Sequence, residues 1–409
     1  MAVCTGCSLL CDDIELEFED GKISLTKNLC RKGEGRYRSL REDRLVPAVD
    51  GAKVGFDEAI SRAAELLGDA ENPLLFGWSN SSLEAQRIGI DLAKKLGATI
   101  DDTSSFCQGY LMEKVLRGEY PTCTLDEVRN FADVLIYWGS DPSSSQPRHM
   151  SRFSYFPRGE KRQRGYDEDR TAIAIDVRKS PTVVIAADGF FRIPPGGDAE
   201  FIEALLAALG GKIPKVKDKK MKKKILKLGS TLRKAEFGVV FPGLGLIYSL
   251  KDEIDKLTPL ITRLNEVSSY KLIPMVGHYN MRGFNQTLLE ETGHINRVSF
   301  KDGVEHGTQF AVTEAVNDCD ALMVIGSDLI SALPAAISKK LARIPTVAID
   351  PHRNLTTDMA RVTIPSAISG LEAGGSALRM DGVKVEFEPV IKSGYRSDVE
   401  ILSRIMEAV

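Results

Sequence analysis

One pattern occurs twice in the chain. Asp133-Val-Leu-Ile-Tyr-Trp-Gly-Ser-Asp141 and Asp320-Ala-Leu-Met-Val-Ile-Gly-Ser-Asp328 share an aspartate, an apolar run and a Gly-Ser-Asp ending. A second apolar run closing on aspartate follows each copy, Thr171–Asp176 and Pro345–Asp350. Then come a basic residue and a threonine-bearing turn, Arg178 with Thr182 and Arg353 with Thr356 and Thr357. An Ile-Pro step at Ile193 and Ile364 completes each copy. Short apolar runs bounded by turn residues read as strands buried on both faces. The repetition therefore calls for two related α/β halves. Their joint is expected near Lys212–Leu228, where nine lysines fall within sixteen residues. The plain reading of that run is a solvated domain edge; the other is an anion or partner patch.

Elsewhere helix and strand patterns alternate. Phe56–Leu67 and Leu83–Leu96 have helical spacing, with the strand Pro73–Gly77 between them; Asp198–Leu209 reads as a further helix. Such alternation gives parallel sheets sandwiched by helices, an α/β class with doubly wound regions. The segment to about Gly51 differs, being polar and short-stranded, with Asp12–Glu19 and Lys22–Thr26 forming a hairpin around Asp20-Gly21. At 409 residues two to four domains are expected. With 54 basic against 57 acidic residues the net charge is −3, without the basic excess of a nucleic-acid binder. No apolar run reaches the ~20 residues of a membrane span, and no signal-peptide pattern opens the chain. A cytoplasmic protein is expected.

Four of the seven cysteines, Cys4, Cys7, Cys11 and Cys30, lie in the first thirty residues, spaced C-x2-C-x3-C-x18-C. The first three can share one tight loop and the fourth can close the site. Four thiolates suit an iron–sulfur cluster or zinc. A zinc ribbon more usually shows two similar knuckles, so a [4Fe–4S] cluster is the stronger reading. A strand ending in Gly-Ser-Asp (Gly139, Ser140, Asp141; Gly326, Ser327, Asp328) offers free backbone N–H groups at the carboxyl edge of a parallel sheet, where phosphates bind. Asp176 and Asp350, closing the next strands, can accept hydrogen bonds from a ribose hydroxyl or a guanine edge. Two nucleotide-like ligands, or one pseudo-symmetric pair, are implied.

Several motifs carry a resemblance. Val3-Cys4-Thr5-Gly6-Cys7 through Cys11, with Asn28-Leu29-Cys30-Arg31-Lys32-Gly33, resembles the opening of the molybdopterin oxidoreductases. Ile136–Pro142 resembles their phosphate loop and Pro195-Gly196-Gly197-Asp198-Ala199 their guanine-binding turn. Asp102–Cys107, Phe156–Gly159, Asn280-Met281-Arg282-Gly283-Phe284-Asn285, Glu291-Thr292-Gly293 and Ile364–Asp381 are similar to the B subunits of formylmethanofuran dehydrogenases, from end to end.

The resemblance implies reversible reduction of CO2 to formate at tungsten or molybdenum held by two molybdopterin guanine dinucleotides, with a [4Fe–4S] cluster on Cys4, Cys7, Cys11 and Cys30. It implies Cys107 as the metal ligand, against the alternative of a core cysteine, and Lys32 between cluster and pterin. Arg282 would grip the one-carbon anion. His278 would handle protons, or be an ordinary loop histidine; His149 would touch cofactor phosphate or pterin. Gly139–Asp141, Asp176, Arg178, Gly197 and Asp198 would serve the first dinucleotide, and Gly326–Asp328 and Asp350 the second. The implied domains are 1–52 for the cluster, 131–263 for the first dinucleotide, and 53–130 with 264–409 for the metal-ligand loop and second dinucleotide.

Two departures stand out. Gln108 occupies the place where formate-type members have histidine, and glutamine carries no proton at neutral pH. The chain also stops where larger members continue into a β-barrel, which this family keeps on its own D subunit. Other implied partners are an amidohydrolase-like A subunit, which would condense formate with methanofuran, the C subunit, ferredoxin-like iron–sulfur subunits, and a heterodisulfide reductase or hydrogenase assembly. The remaining alternatives are a cofactor-free scaffold in a formyltransferase/hydrolase complex, or a same-fold oxidoreductase acting on another substrate such as nitrate.

Overall fold

The computed structural model describes every residue except Met1, Asp20, Gly21, Ser39, Arg41, Ala187 and Asp188. The chain is a mixed α/β protein with several sheets, divided into two compact units: Met1–Gly109 with His278–Val409, and Tyr110–Gly277.

The continuous unit, Tyr110–Gly277, is built on five parallel strands ordered Phe190–Arg192, Thr171–Asp176, Val134–Trp138, Gly238–Pro242, Tyr270–Leu272. Val134–Trp138 is buried at every position, which is why it reads as an unbroken apolar run. Helix Asp198–Leu209 packs Phe201, Ile202 and Leu205 against the core with Trp138 and Ile173. The lysine-rich run is not a joint. Lys219–Lys234 is a helix of this unit, held by its buried face of Ile225, Leu228 and Leu232.

The discontinuous unit has a nine-stranded sheet with five parallel strands at its centre, ordered Thr99–Asp102, Pro73–Gly77, Ala321–Ile325, Thr346–Asp350, Val362–Pro365. Short antiparallel strands extend both edges. Helix Leu83–Leu96 starts where the Ser82 hydroxyl accepts the Ala85 N–H and ends at Gly97 in the left-handed region. The N-terminal hairpin forms from Cys11–Glu19 and Lys22–Lys27, with Ala2–Cys4 added as a third antiparallel strand; its Asp20-Gly21 turn lies outside the described residues. Among the described residues no helix is long and apolar enough to cross a membrane.

Candidate functional site

The repeated sequence builds the same junction twice, bond for bond. Asp133 opens the first copy by accepting the Glu236 and Phe237 N–H groups at 2.8 and 3.0 Å; Asp320 accepts those of Glu71 and Asn72 at 2.7 and 2.9 Å. Each carboxylate thus fastens the start of a neighbouring strand. At the far end, Gly139 (φ +56°) and Gly326 (φ +57°) turn the chain through the left-handed region. A Cβ on Gly139 would stand 2.3 Å from the Leu246 nitrogen, so glycine is required there for space as well.

The closing aspartates brace these turns. Asp141 Oδ1 accepts the Thr182 hydroxyl at 2.6 Å and its N–H at 3.2 Å; Asp328 Oδ1 accepts the Thr356 hydroxyl at 2.8 Å and its N–H at 3.0 Å. Each threonine oxygen in turn accepts the N–H two residues beyond its aspartate, Ser143 or Ile330. Asp176 and Asp350 each hold the N–H two residues on, of Arg178 and His352. Asp141 therefore spends both oxygens on its own loop, Oδ2 accepting the Ser144 hydroxyl at 2.8 Å, and Asp328 spends Oδ1 on the loop it closes. The Ser140 hydroxyl donates to the Phe241 carbonyl, Ser327 is half-buried, and Arg178 approaches Asp141 at 3.6 Å while itself largely exposed.

Two other residues expected at the first dinucleotide face inward. Asp198, at the start of its helix after Gly197, is buried and accepts the Trp138 indole N–H at 2.6 Å; burial raises its pKa. His149 is fully buried, its Nδ1 3.0 Å from the Ser154 hydroxyl and its ring edge-on to Phe241 at 4.7 Å. The visible partners of both are core groups.

In the discontinuous unit the N-terminal cysteines lie within electrostatic reach of one another, Cys4 with Cys11 and Cys30, and Cys7 with Cys4 and Cys11. Cys4 and Cys11 are register partners across the first hairpin, and Cys7 lies in the loop between them. Cys30 stands just before helix Arg31–Arg38 and its sulfur accepts the Gly33 N–H. A Cβ on Gly33 would lie 2.9 Å from Cys4 Sγ, so only glycine lets the helix approach the sulfurs. Burial, with the neighbouring cysteines adding to it, pushes the Cys4 thiol up to about 11 and Cys7 to about 12. Lys32 opposes the shift at Cys7 and also lowers the pKa of His278, so its charge reaches both groups. Among the described residues, no three His, Cys, Asp or Glu side chains converge as ligands of a single ion.

His278 is linked to the second Gly-Ser-Asp turn through Asn80, whose amide donates to His278 Nδ1 at 3.1 Å and to the Gly326 carbonyl at 2.9 Å. Nδ1 is then the acceptor and Nε2 carries the hydrogen. Burial first, then Lys32, pulls the ring down to about 4, leaving it neutral at pH 7. Beside it is a cavity of about 160 Å3 at the carboxyl edge of the sheet, lined among others by Arg36, Asn80, Gly326, Asp350 and Asp398. Burial lifts Asp350 to about 7 and Asp398 to about 6. Arg36, Asn80 and Asp398 escaped sequence reasoning. Counting the carboxyl ends of all parallel strands would have drawn attention to Asn80, three residues past Pro73–Gly77.

Cys107 ends a tightly held loop. Asp102, fully buried, accepts the hydroxyls of Ser79 (3.0 Å) and Ser104; Ser104 accepts the amides of Asn285 (3.0 Å) and Asn296 (2.7 Å). Asp101 holds the N–H groups of Val312 and Arg297. The Cys107 thiol is raised to about 11 by burial, and Gln108 beside it is buried. Arg282 donates to the Met380 carbonyl at 3.1 Å; among the described residues its buried Nε finds no partner. The flanking motif residues are structural: Asn280 ties Ser81 to Leu378, and Asn285 secures the Cys107 loop.

Comparison with known proteins adds three findings. The B subunit of the tungsten-containing formylmethanofuran dehydrogenase 2 of Methanocaldococcus jannaschii is 37% identical over 431 aligned positions, covering 100% of this chain and 97% of that protein. Its counterpart in Methanococcus maripaludis is 35% identical over 429, covering 100% and 98%. A chain of the formyltransferase/hydrolase complex FhcABCD from Methylorubrum extorquens, crystallised with methylofuran, shares the fold with TM-score 0.70 at 23% identity, over 88% of this chain and 98% of that one. No family model matches the chain.

Proposed function

This chain belongs to the family of formylmethanofuran dehydrogenase B subunits, and on that premise we propose that it is the redox subunit of such an enzyme. The reaction is reversible reduction of CO2 to formate, which an amidohydrolase-like partner then condenses with methanofuran. The observation that carries this reading is that Cys4 lies within electrostatic reach of Cys7, Cys11 and Cys30, with the Lys32 charge reaching both Cys7 and His278. A scaffold has no use for that arrangement.

A tungsten or molybdenum centre on two pterin guanine dinucleotides supplies the two-electron chemistry when bound, and a [4Fe–4S] cluster passes the electrons. Cys107 would be the protein ligand to that metal, and the four N-terminal cysteines would hold the cluster. Cys30 stands alone opposite the Cys4–Cys11 loop, which favours the cluster over a zinc ribbon with its two matched knuckles. The Gly-Ser-Asp turns at Gly139–Asp141 and Gly326–Asp328 receive the two dinucleotides, with the Arg36–Asp350–Asp398 cavity serving the second. Arg282 orients the one-carbon anion: among the described residues its Nε–H has no partner, and a planar guanidinium matches two oxygens at once. His278, neutral at pH 7, accepts from Asn80 rather than acting as a standing cation. With Gln108 beside Cys107, proton delivery does not run through a histidine at that place. The roles of the parts are then 1–52 for the cluster, the continuous unit Tyr110–Gly277 for the first dinucleotide, and the remainder of the discontinuous unit for the metal loop and the second, the boundaries expected at 130 and 263 shifting to those of the two units.

The test is Cys107→Ala in the native, anaerobically purified complex. Formate-dependent reduction of a viologen dye should vanish while iron content and the broad visible absorption of the cluster persist. Unchanged turnover, or stoichiometric zinc in place of iron, would overturn the proposal.

A further inference from the structure

Residues 212–227 contain nine lysines and a single acid, Asp218. Lys212, Lys215, Lys217, Lys219, Lys220 and Lys223 are exposed, and among the described residues none of them forms an ion pair. One neighbour, Lys224, is used internally, donating to the Phe190 carbonyl and lying over the Phe191 ring. The others work against their own helix. Lys219, Lys223 and Lys227 stand four apart, where like charges repel, and Lys219, Lys220 and Lys222 fill the first turn, where the macrodipole is already positive. Asp218, as N-cap, accepts the N–H groups of Lys220 and Met221 and offsets only part of this. The helix survives through Ile225, Leu228 and Leu232, with Gly229 allowing close approach to Ala208.

Within the same patch Ile213 is 75% exposed, the highest value of any large apolar side chain among the described residues, and Leu226 is 39% exposed. Solubility alone does not call for an apolar side chain held out among unpaired cations. An apolar anchor ringed by charge of one sign is the pattern of a docking surface.

We propose that residues 212–227 dock an acidic surface on another protein chain, with Ile213 as the apolar anchor. Nucleic acid fits less well: the chain carries net charge −3, and residues 212–227 contain no aromatic side chain on which a base could stack. The proposal uses none of the residues assigned to the redox site and does not depend on which metal is bound.

The experiment uses the complex purified under native conditions through this chain, treated with a water-soluble carbodiimide, which joins lysine amines only to carboxylates in direct contact. Peptide mass spectrometry should find Lys215, Lys219 or Lys223 coupled to Asp or Glu of a different chain. Those couplings should disappear near 1 M salt, where the Debye length falls to ~3 Å. The triple change Lys215→Glu, Lys219→Glu, Lys223→Glu should slow association with that chain at least ~10-fold, with iron content unchanged. Ile213→Ser should weaken it in a salt-independent way. No coupling to any other chain, with amines that acetylate equally fast in low and high salt, would overturn the proposal. So would protection that nuclease removes, which would assign the patch to nucleic acid.

Discussion

Asp102 illustrates at residue scale how the Cys107 loop is held and what that costs. Burial, aided by adjacent Asp101, lifts its carboxyl to about 7, while hydrogen bonds from Ser104 and Ser79 only partly counter the shift. A folded-state pKa above the unfolded value means that the folded form binds the proton more tightly. The stabilisation is therefore complete below about pH 4 and is lost as pH rises through about 7. Asp102→Asn keeps the shape and never ionises. The melting temperature of the wild type minus that of the variant should fall between about pH 4 and about pH 7 and level off above it; a constant difference would show that Asp102 does not titrate in this range. Ser79, Asn285 and Asn296 join this network from distant parts of the sequence, and neither Ser79 nor Asn296 carries a motif that sets it apart.

At the scale of elements, the two Asp–Thr braces are equivalent. Asp141 with Thr182 and Asp328 with Thr356 hold a left-handed glycine turn at the end of a buried strand. Removing either carboxylate strands the N–H and hydroxyl of a buried threonine. Asp328→Ala and Asp141→Ala should each cost ~1–3 kcal/mol in urea denaturation, with the change confined to the unit that carries the substitution. A loss below about 0.5 kcal/mol, the level of an ordinary surface change, would mean that the turns stand without their braces. Sequence reading found these turns because each lies within one short stretch. It took the aspartates as ligand contacts without showing that each also spends an oxygen on its own loop. Only the positions of Thr182 and Thr356 in space reveal that.

The whole molecule consists of one continuous unit and one assembled from both ends of the chain. Tyr110–Gly277 has its own apolar core, from Leu111 to Leu272, around a five-stranded parallel sheet. Expressed alone, residues 110–277 should fold and melt cooperatively; a broad, non-cooperative transition would show that the core is insufficient. The strands Pro73–Gly77 and Val134–Trp138 and the helices Leu83–Leu96 and Asp198–Leu209 were legible at their observed limits, because burial on both faces, helical periodicity and caps are local properties. The N-terminal cysteine spacing and the duplicated Gly-Ser-Asp turn were equally legible. What the sequence by itself determined was thus the content of each element and the kinship of the two halves. The tertiary structure decided where the chain divides, moving the lysine-rich helix from a joint into a packed unit through Ile225, Leu228 and Leu232. It also decided which side chains come together: Asn80 with His278 and Gly326, Lys32 within electrostatic reach of both Cys7 and His278, Asp198 with Trp138, and His149 with Phe241. Those encounters join residues tens to hundreds of positions apart. They are set by the order in which parallel strands stack, and periodicity along the chain does not encode that order.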